Sequence, residues 1–138
     1  MVAGLEGALN CPVCKEPMVV LELEEVEIDR CVSCKGIWLD AGELEILLGD
    51  SATRNQFIES FRGDAAAKEK PRKCPICDRR MEKVLCGWDS PVRIDRCKRN
   101  DGIWLDRGEL KEILESACFG SDRRVLDLLK EMFAGERI

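Results

Sequence analysis

Residues 31–40 read CVSCKGIWLD, and residues 97–106 read CKRNDGIWLD. The last five letters of the two segments are identical, and each segment begins with a cysteine. Three further motifs also occur twice in the same order: CPVC and CPIC at 11–14 and 74–77, IDRC at 28–31 and 94–97, and GEL at 42–44 and 108–110. The first pair repeats after 63 residues and the other motifs after 66. Repetition in one order at nearly constant spacing predicts two copies of one structural unit.

The composition limits how such a unit can be stabilised. The chain has 138 residues, nine cysteines, no histidine and a formal net charge of −5, with 5% aromatic residues. Half-chains of about 70 residues rarely fold by burial alone, so we expect a metal or another cross-link. The sequence shows neither a signal peptide nor an apolar run long enough to span a membrane. We therefore expect a cytoplasmic protein, in which paired cysteines are usually metal ligands rather than disulfides.

Each copy repeats one order of local signals. After the first cysteine pair come two short runs rich in Val, Ile and Leu, which predict a β-hairpin. A second cysteine-containing turn precedes a helix, for which Asp40 and Asp106 are the expected caps, with Glu43 and Glu109 completing capping boxes. Further helices are predicted near 51–61 and 121–133, the latter with a clear apolar face. The predicted units are residues 8–62 and 73–135, joined by a linker at 63–72.

The cysteines of the first copy have the spacing of a metal site. Cys11, Cys14, Cys31 and Cys34 form two C-x2-C pairs that are separated by 16 residues. Tetrahedral zinc is commonly held by two such pairs, because each tight turn supplies two thiolates and the hairpin returns the second pair to the first. The alternatives are disulfides or free thiols, and the thioredoxin-like unit that a redox pair requires is not visible. We therefore predict structural zinc in this copy.

The motifs are similar to those of the transcription-factor-IIB-like zinc-ribbon family. The resemblance rests on the four cysteines together with the G-x-W-L-D-x-G-E run at 36–43, and on its counterpart at 102–109. It implies an α+β fold of two tandem small zinc ribbons, each a β-hairpin with zinc knuckles followed by helices. It implies a zinc site more firmly than a task, because one fold supports many functions.

The second copy keeps Cys74, Cys77 and Cys97 but has Asn100 in place of a fourth cysteine. Five outcomes are open for the fourth ligand position: the Asn100 carbonyl, the Asp101 carboxylate, a water molecule, Cys86, or no ligand. Cys86 lies near the far end of the hairpin, on the order of 16 Å from the knuckle, so we expect it to be a small buried residue instead. We expect this copy to bind zinc more weakly than the first.

Charge distinguishes the two copies. Residues 1–63 contain five Lys/Arg and twelve Asp/Glu, a net of −7, whereas residues 71–111 contain eleven and seven, a net of +4. Lys83, Trp88 and Arg93 mark the second hairpin as a candidate contact surface for nucleic acid or for a protein partner. A solvated charged face, or docking of the acidic copy on the basic copy, would explain the same pattern. Trp38 and Trp104 occur in both copies, so we expect them to pack a helix on its hairpin.

These observations favour a non-enzymatic, zinc-stabilised binding module, associated with nucleic acid or with transcription-related regulation. The first alternative is a protein-interaction or assembly module that uses the amphipathic helix at 121–133, with homo-oligomers left open. The second alternative is an enzyme built on an open three-cysteine zinc site in the second copy. The absence of histidine, the commonest general base, weighs against that alternative.

Overall fold

The computed structural model describes residues 9–49, 52–68, 70–118 and 124–133. Its elements in chain order are β1 (Val19–Leu23), β2 (Val26–Arg30), β3 (Ile37–Asp40), α1 (Glu43–Leu48), α2 (Ala52–Glu59), β4 (Arg62–Gly63), β5 (Glu82–Cys86), β6 (Val92–Arg96), β7 (Gly102–Leu105), α3 (Glu109–Cys118) and α4 (Arg124–Met132). The strands form one antiparallel sheet in the order β1-β2-β3-β7-β6-β5-β4. The first residues of the predicted helix at 121–133 lie outside the described residues.

Each copy contributes a hairpin and a third strand that the sequence reading did not predict. The hairpins are β1–β2 and β5–β6, and the third strands β3 and β7 pair with each other, placing Trp38 opposite Trp104. The sequence predicts a helix after the second cysteine turn, and the identical run IWL lies between that turn and the helix. Three consecutive buried apolar residues are instead typical of a strand covered on both faces. The two copies therefore share one sheet, where separate hairpin-plus-helix units were expected.

The helix caps also differ from the prediction. Asp40 belongs to β3, and α1 begins after Gly42, whose φ of 88° places it in the left-handed region. The Glu43 carboxylate accepts a hydrogen bond from the Asp40 backbone N–H at 2.7 Å, so one half of the capping box is present. The other half is missing because the Asp40 carboxylate accepts the Trp38 indole N–H at 2.9 Å. The second copy repeats both hydrogen bonds, among Trp104, Asp106 and Glu109.

The tryptophans of the shared motif pack between the two copies. Trp38 and Trp104 are completely buried. A Cβ placed on Gly36 would lie 2.2 Å from Trp104 Cζ2, and one placed on Gly102 would lie 2.6 Å from Trp38 Cζ2. Each tryptophan therefore packs against a glycine of the opposite copy, where only a hydrogen leaves room for the ring. The expected packing of helix on hairpin within one copy is corrected to packing between copies.

The second helix of each copy also reaches across to the other copy. At the end of α2, the Ser60 hydroxyl accepts a hydrogen bond from the Gly87 backbone N–H, and Arg62 donates to the Gly87 carbonyl, at the turn of the second hairpin. In the opposite direction, Arg124 of α4 forms an ion pair with Glu24, at the turn of the first hairpin. The apolar face of α4 is buried in the common core: Leu126, Leu129 and Phe133.

The hairpin turns account for the one difference in length between the copies. In the first hairpin, Leu23 pairs with Val26, so the turn has two residues. In the second, Cys86 pairs with Val92, so the turn has five residues. The three additional residues of the second copy therefore all lie in the loop at 87–91, which contains Trp88.

Candidate metal centres

Four thiols of the first copy converge at one end of the sheet. The Sγ atoms of Cys11, Cys14, Cys31 and Cys34 all lie within 4.8 Å of one another. The Sγ atoms of Cys11 and Cys34 are 3.6 Å apart. Tetrahedral zinc with bonds of about 2.3 Å requires sulfur atoms about 3.8 Å apart, so the spacing fits zinc. A disulfide would require about 2.05 Å, and these cysteines are free.

The backbone of the first centre supports thiolates. The N–H groups of Val13 and Cys14 point at Cys11 Sγ, at 3.3 and 3.2 Å, and the N–H of Cys34 points at Cys31 Sγ at 3.5 Å. Hydrogen bonds to a charged group favour its charged form, which is the form that binds metal. Zinc binding to such a site is coupled to deprotonation of the thiols and to folding.

The second centre is completed by Asp101. One carboxylate oxygen and the Sγ atoms of Cys74, Cys77 and Cys97 all lie within 4.8 Å of one another. Asp101 Oδ2 lies 3.6 Å from Cys74 Sγ and 3.4 Å from Cys97 Sγ, and the Sγ atoms of Cys77 and Cys97 are 3.7 Å apart. For zinc with Zn–S of about 2.3 Å and Zn–O of about 2.1 Å, a tetrahedral oxygen–sulfur separation is about 3.6 Å. The set therefore also fits zinc.

A one-residue change in a turn explains why the carboxylate takes this place. In the other three cysteine turns, the residue four positions after the first cysteine donates its N–H to that cysteine's carbonyl and has φ between 62° and 67°: Lys15, Lys35 and Asp78. In the fourth turn, Asn100, three positions after Cys97, does both, with φ of 63°. The turn is therefore tighter by one residue, and Asp101 follows it directly.

Asn100 has a conformational role in this turn. Asparagine enters the left-handed region more readily than most residues. The Asn100 residue is exposed, whereas Asp101 is half-buried beside the thiols. Hydrogen bonding from Cys77 is the main cause that lowers the pKa of Asp101, so this carboxylate is ionised at neutral pH. Of the five outcomes considered for the fourth position, the geometry favours the Asp101 carboxylate.

Cys86 lies away from both centres. It is buried in the apolar core on β5, among residues such as Val84 and Ile94, and burial raises its pKa to about 12. A thiol in that environment behaves as a small hydrophobic residue. The side chain of Cys118, the ninth cysteine, lies outside the described part of the structure.

Comparison with protein families agrees with this geometry. The model of the transcription factor zinc-finger family, a TFIIB-type zinc ribbon, matches residues 10–50 and again residues 73–116. The chain belongs to this family. Members of this family bind zinc, and here the two matched regions each contain one of the two centres. No curated protein and no solved structure matches the chain.

Two of the predicted contact residues of this zinc-ribbon protein are engaged within the chain. The Lys83 ammonium forms an ion pair with Asp95, and both side chains are nearly buried. Arg93 Nε lies 2.8 Å from Asp64 Oδ2. These ion pairs make Lys83 and Arg93 less available to a ligand than unpaired cations, and their role in a contact surface stays a prediction. Strand pairing places Lys83 directly opposite Asp95, a relation that charge counting along the sequence does not reveal.

Five exposed cations of the second copy lie around its metal centre. The residues concerned flank the two cysteine turns: Lys73, Arg79, Arg80, Lys98 and Arg99. Ile76, at the tip of the first of these turns, is 49% exposed. The corresponding turns of the first copy contain only Lys15, Lys35 and Glu16 as charged residues. We call this group of five cations at the knuckles of the second copy the basic knuckle face.

Among the residues that the structure describes, no helix combines the length and the apolar character needed to cross a bilayer.

Proposed function

We propose that this zinc-ribbon protein is a non-enzymatic module that binds nucleic acid through the basic knuckle face. The observation that carries the proposal is the position of exposed Arg79, Arg80 and Arg99 beside the second metal centre, on turns that the metal would hold rigid. Phosphate contacts from Lys and Arg supply most of the affinity of non-specific nucleic-acid binding. The first copy would repel phosphates, because Glu22, Glu25 and others line its hairpin.

Rigid turns are what such a surface requires. We propose that one zinc ion is held by Cys11, Cys14, Cys31 and Cys34, and a second by Cys74, Cys77, Cys97 and Asp101. With metal bound, the cations next to the cysteines are displayed at fixed separations, so less conformational entropy is lost on binding. The thiols within these sets require reducing conditions, which supports a cytoplasmic location. The units at 8–62 and 73–135, with a linker at 63–72, remain our proposed division of the chain.

The test is the salt dependence of binding to DNA and RNA oligonucleotides. Each phosphate contact that is lost should make the slope of log K against log salt shallower by about 0.7–0.9. Arg79→Ala and Arg99→Ala should each produce this change. Arg93→Ala is the matched control, because it removes the same charge from the same copy at a site that is paired with Asp64.

Two results would reject the proposal. One is the absence of binding by the zinc-loaded parent even at low salt. The other is an equal change of slope for the control and the two knuckle variants, since binding would then follow net charge and not the basic knuckle face.

The structure weakens both alternatives drawn from the sequence. The apolar face of α4 packs in the core through Leu126, Leu129 and Phe133, so it is not an exposed contact surface. The enzyme proposed from the sequence would need an open position on the second metal, and the Asp101 carboxylate, within 4.8 Å of the three thiols, is able to fill that position. Zinc ribbons are typically non-catalytic, in agreement with our proposal.

A further inference from the structure

The loop at 87–91 displays a tryptophan that the fold does not use for its core. Trp88 is 64% exposed, whereas Trp38 and Trp104 are completely buried. The loop exists because the second hairpin turn is three residues longer than the first. An exposed indole gains little of the stabilisation that burial of such a large ring provides. The added segment is therefore better explained by binding than by packing.

Arg62 holds the Trp88 indole in place. The Arg62 guanidinium carbon lies 5.3 Å from the centre of the Trp88 ring. The same guanidinium donates to the Ser60 carbonyl at 2.8 Å and to the Gly87 carbonyl at 2.9 Å. Two backbone acceptors on different elements fix the cation, and the cation fixes the ring. The tryptophan is thus preorganised for stacking, which reduces the entropic cost of binding a flat ligand.

The charge of Arg62 is not neutralised by an acid within the described part of the chain. Its partners are two carbonyl oxygens and an aromatic ring. Neighbouring cations of the second copy differ from Arg62 in this respect, because each of them forms an ion pair with a carboxylate: Lys83, Arg93 and Arg96. An arginine held by neutral groups beside an exposed indole offers a favourable site for an anion attached to an aromatic ring.

A pocket opens beside the indole. Its volume is about 310 Å³, and it is lined by Phe57 and Trp88 as aromatic walls and by polar groups of α2, the loop and α3: Gln56, Asp89, Ser90 and Ser116. This volume is at the lower end of those of small-molecule sites. The amide, carboxylate and hydroxyl groups provide both donors and acceptors, which suits the edge of a heterocyclic base.

We infer that this pocket binds one nucleobase of a single-stranded nucleic acid, stacked on Trp88, with an adjacent phosphate near Arg62. The inference rests on the proposed function and deepens it: the basic knuckle face holds the backbone, and the pocket at the opposite end of β5 and β6 takes a base. Sequence reasoning singled out Trp88 but missed Gln56, Phe57 and Arg62, because only the fold brings α2 and β4 to the second hairpin. The signal available was the three-residue difference between the copies.

The experiment compares a short single-stranded DNA oligonucleotide with a matched strand in which the bases are replaced by abasic sites. Both strands carry the same phosphates, so any difference in affinity is due to bases. Trp88→Ala should weaken binding of the normal strand roughly 5- to 150-fold, the range expected for one stacked base, and leave the abasic strand unaffected. Ile46→Ala, which removes a 63% exposed apolar side chain from the first copy, is the matched control.

Intrinsic fluorescence supplies a second measurement that needs no variant. Trp88 is the exposed fluorophore of the three tryptophans, so stacking of a base should quench it and protect it from acrylamide. Equal affinity for the normal and abasic strands, with no quenching by the normal strand, would overturn the inference while leaving phosphate binding intact. Failure of the proposed function would look different, because neither strand would then bind.

Discussion

The tightest contact between the copies predicts a large effect from adding a single methyl group at Gly36. In Gly36→Ala, the new Cβ would lie 2.2 Å from Cζ2 and 2.4 Å from Cη2 of Trp104. Carbon atoms normally approach to about 3.5–4.0 Å, so the indole or the turn would have to move by more than about 1 Å. Trp104 is fully buried and lies in the central strand pair, which leaves no empty space for that movement.

Overpacking of this kind costs about 1–3 kcal/mol. For a domain of this size, about 4 °C in Tm accompanies each kcal/mol, so the zinc-saturated variant should melt about 4–12 °C below the parent. Thermal unfolding followed by circular dichroism or calorimetry measures this shift. Gly63→Ala is the control, because nothing lies within 4 Å of a Cβ at that position and it should change Tm little.

A double mutant tests whether the indole is the cause. Trp104→Leu removes the ring atoms that the new methyl group would meet, although by itself it creates a cavity. Combined with Gly36→Ala, it should be less destabilising than the sum of the single changes by about 1 kcal/mol or more. If Gly36→Ala melts within about 1 °C of the parent, or if the two changes are strictly additive, the packing of Trp104 on Gly36 is not as described.

Two further outcomes follow from the second copy. Metal analysis should find two zinc ions per chain; Asp101→Ala should lose one of them, whereas Asn100→Ala should retain both, and the reverse pattern would identify Asn100 as the ligand. Burial raises the pKa of Glu109 from 4.5 to about 8. The folded state therefore holds a proton that the unfolded state releases, so this carboxyl makes stability fall as pH rises from about 4.5 to about 8. Glu109→Gln, which keeps an acceptor for the Asp106 N–H, should raise Tm relative to the parent at pH 8.5 and much less at pH 5; a pH-independent difference would contradict this.

The sequence predicted the elements that depend on local spacing. The two cysteine sets, the two hairpins and the buried role of Cys86 all follow from distances along the chain that short turns and strands fix. The pairing of β3 with β7 could not be predicted in the same way, because no local sequence pattern indicates which strands of the two copies pair. The shared glycines were a usable signal: Gly36 and Gly102 have no positive φ that would require glycine, so close approach of another group is the remaining reason for them.

Charge counting could not rank the cations of the second copy, for a related reason. Cations were counted along the chain, but their availability depends on what lies opposite them in the sheet. Lys83 faces Asp95 across one strand pair, and Arg93 meets Asp64 only because β4 joins the edge of the sheet. In the knuckle turns, Lys73 and Arg80 face each other in an isolated β-bridge and not a carboxylate, and both remain exposed. The net charge of the second copy was a correct observation, but only the fold shows which of its charges can reach a ligand.

Two differences between the copies lie at opposite ends of the strands, and the identical GIWLD residues lie at the centre of the sheet. The GIWLD strands, paired through Trp38 and Trp104, must match because each packs against the other. The ends are free of that constraint: one end of the second copy has the tightened turn that presents Asp101, and the other has the enlarged loop that presents Trp88. Trp38 of the first copy packs on Gly102, which is next to Asp101. The first copy therefore also supports the metal centre of the second copy, which has three thiols and a carboxylate. In this arrangement the first copy serves as scaffold, and the second copy is free to acquire cations, a carboxylate ligand and an exposed ring without losing its fold.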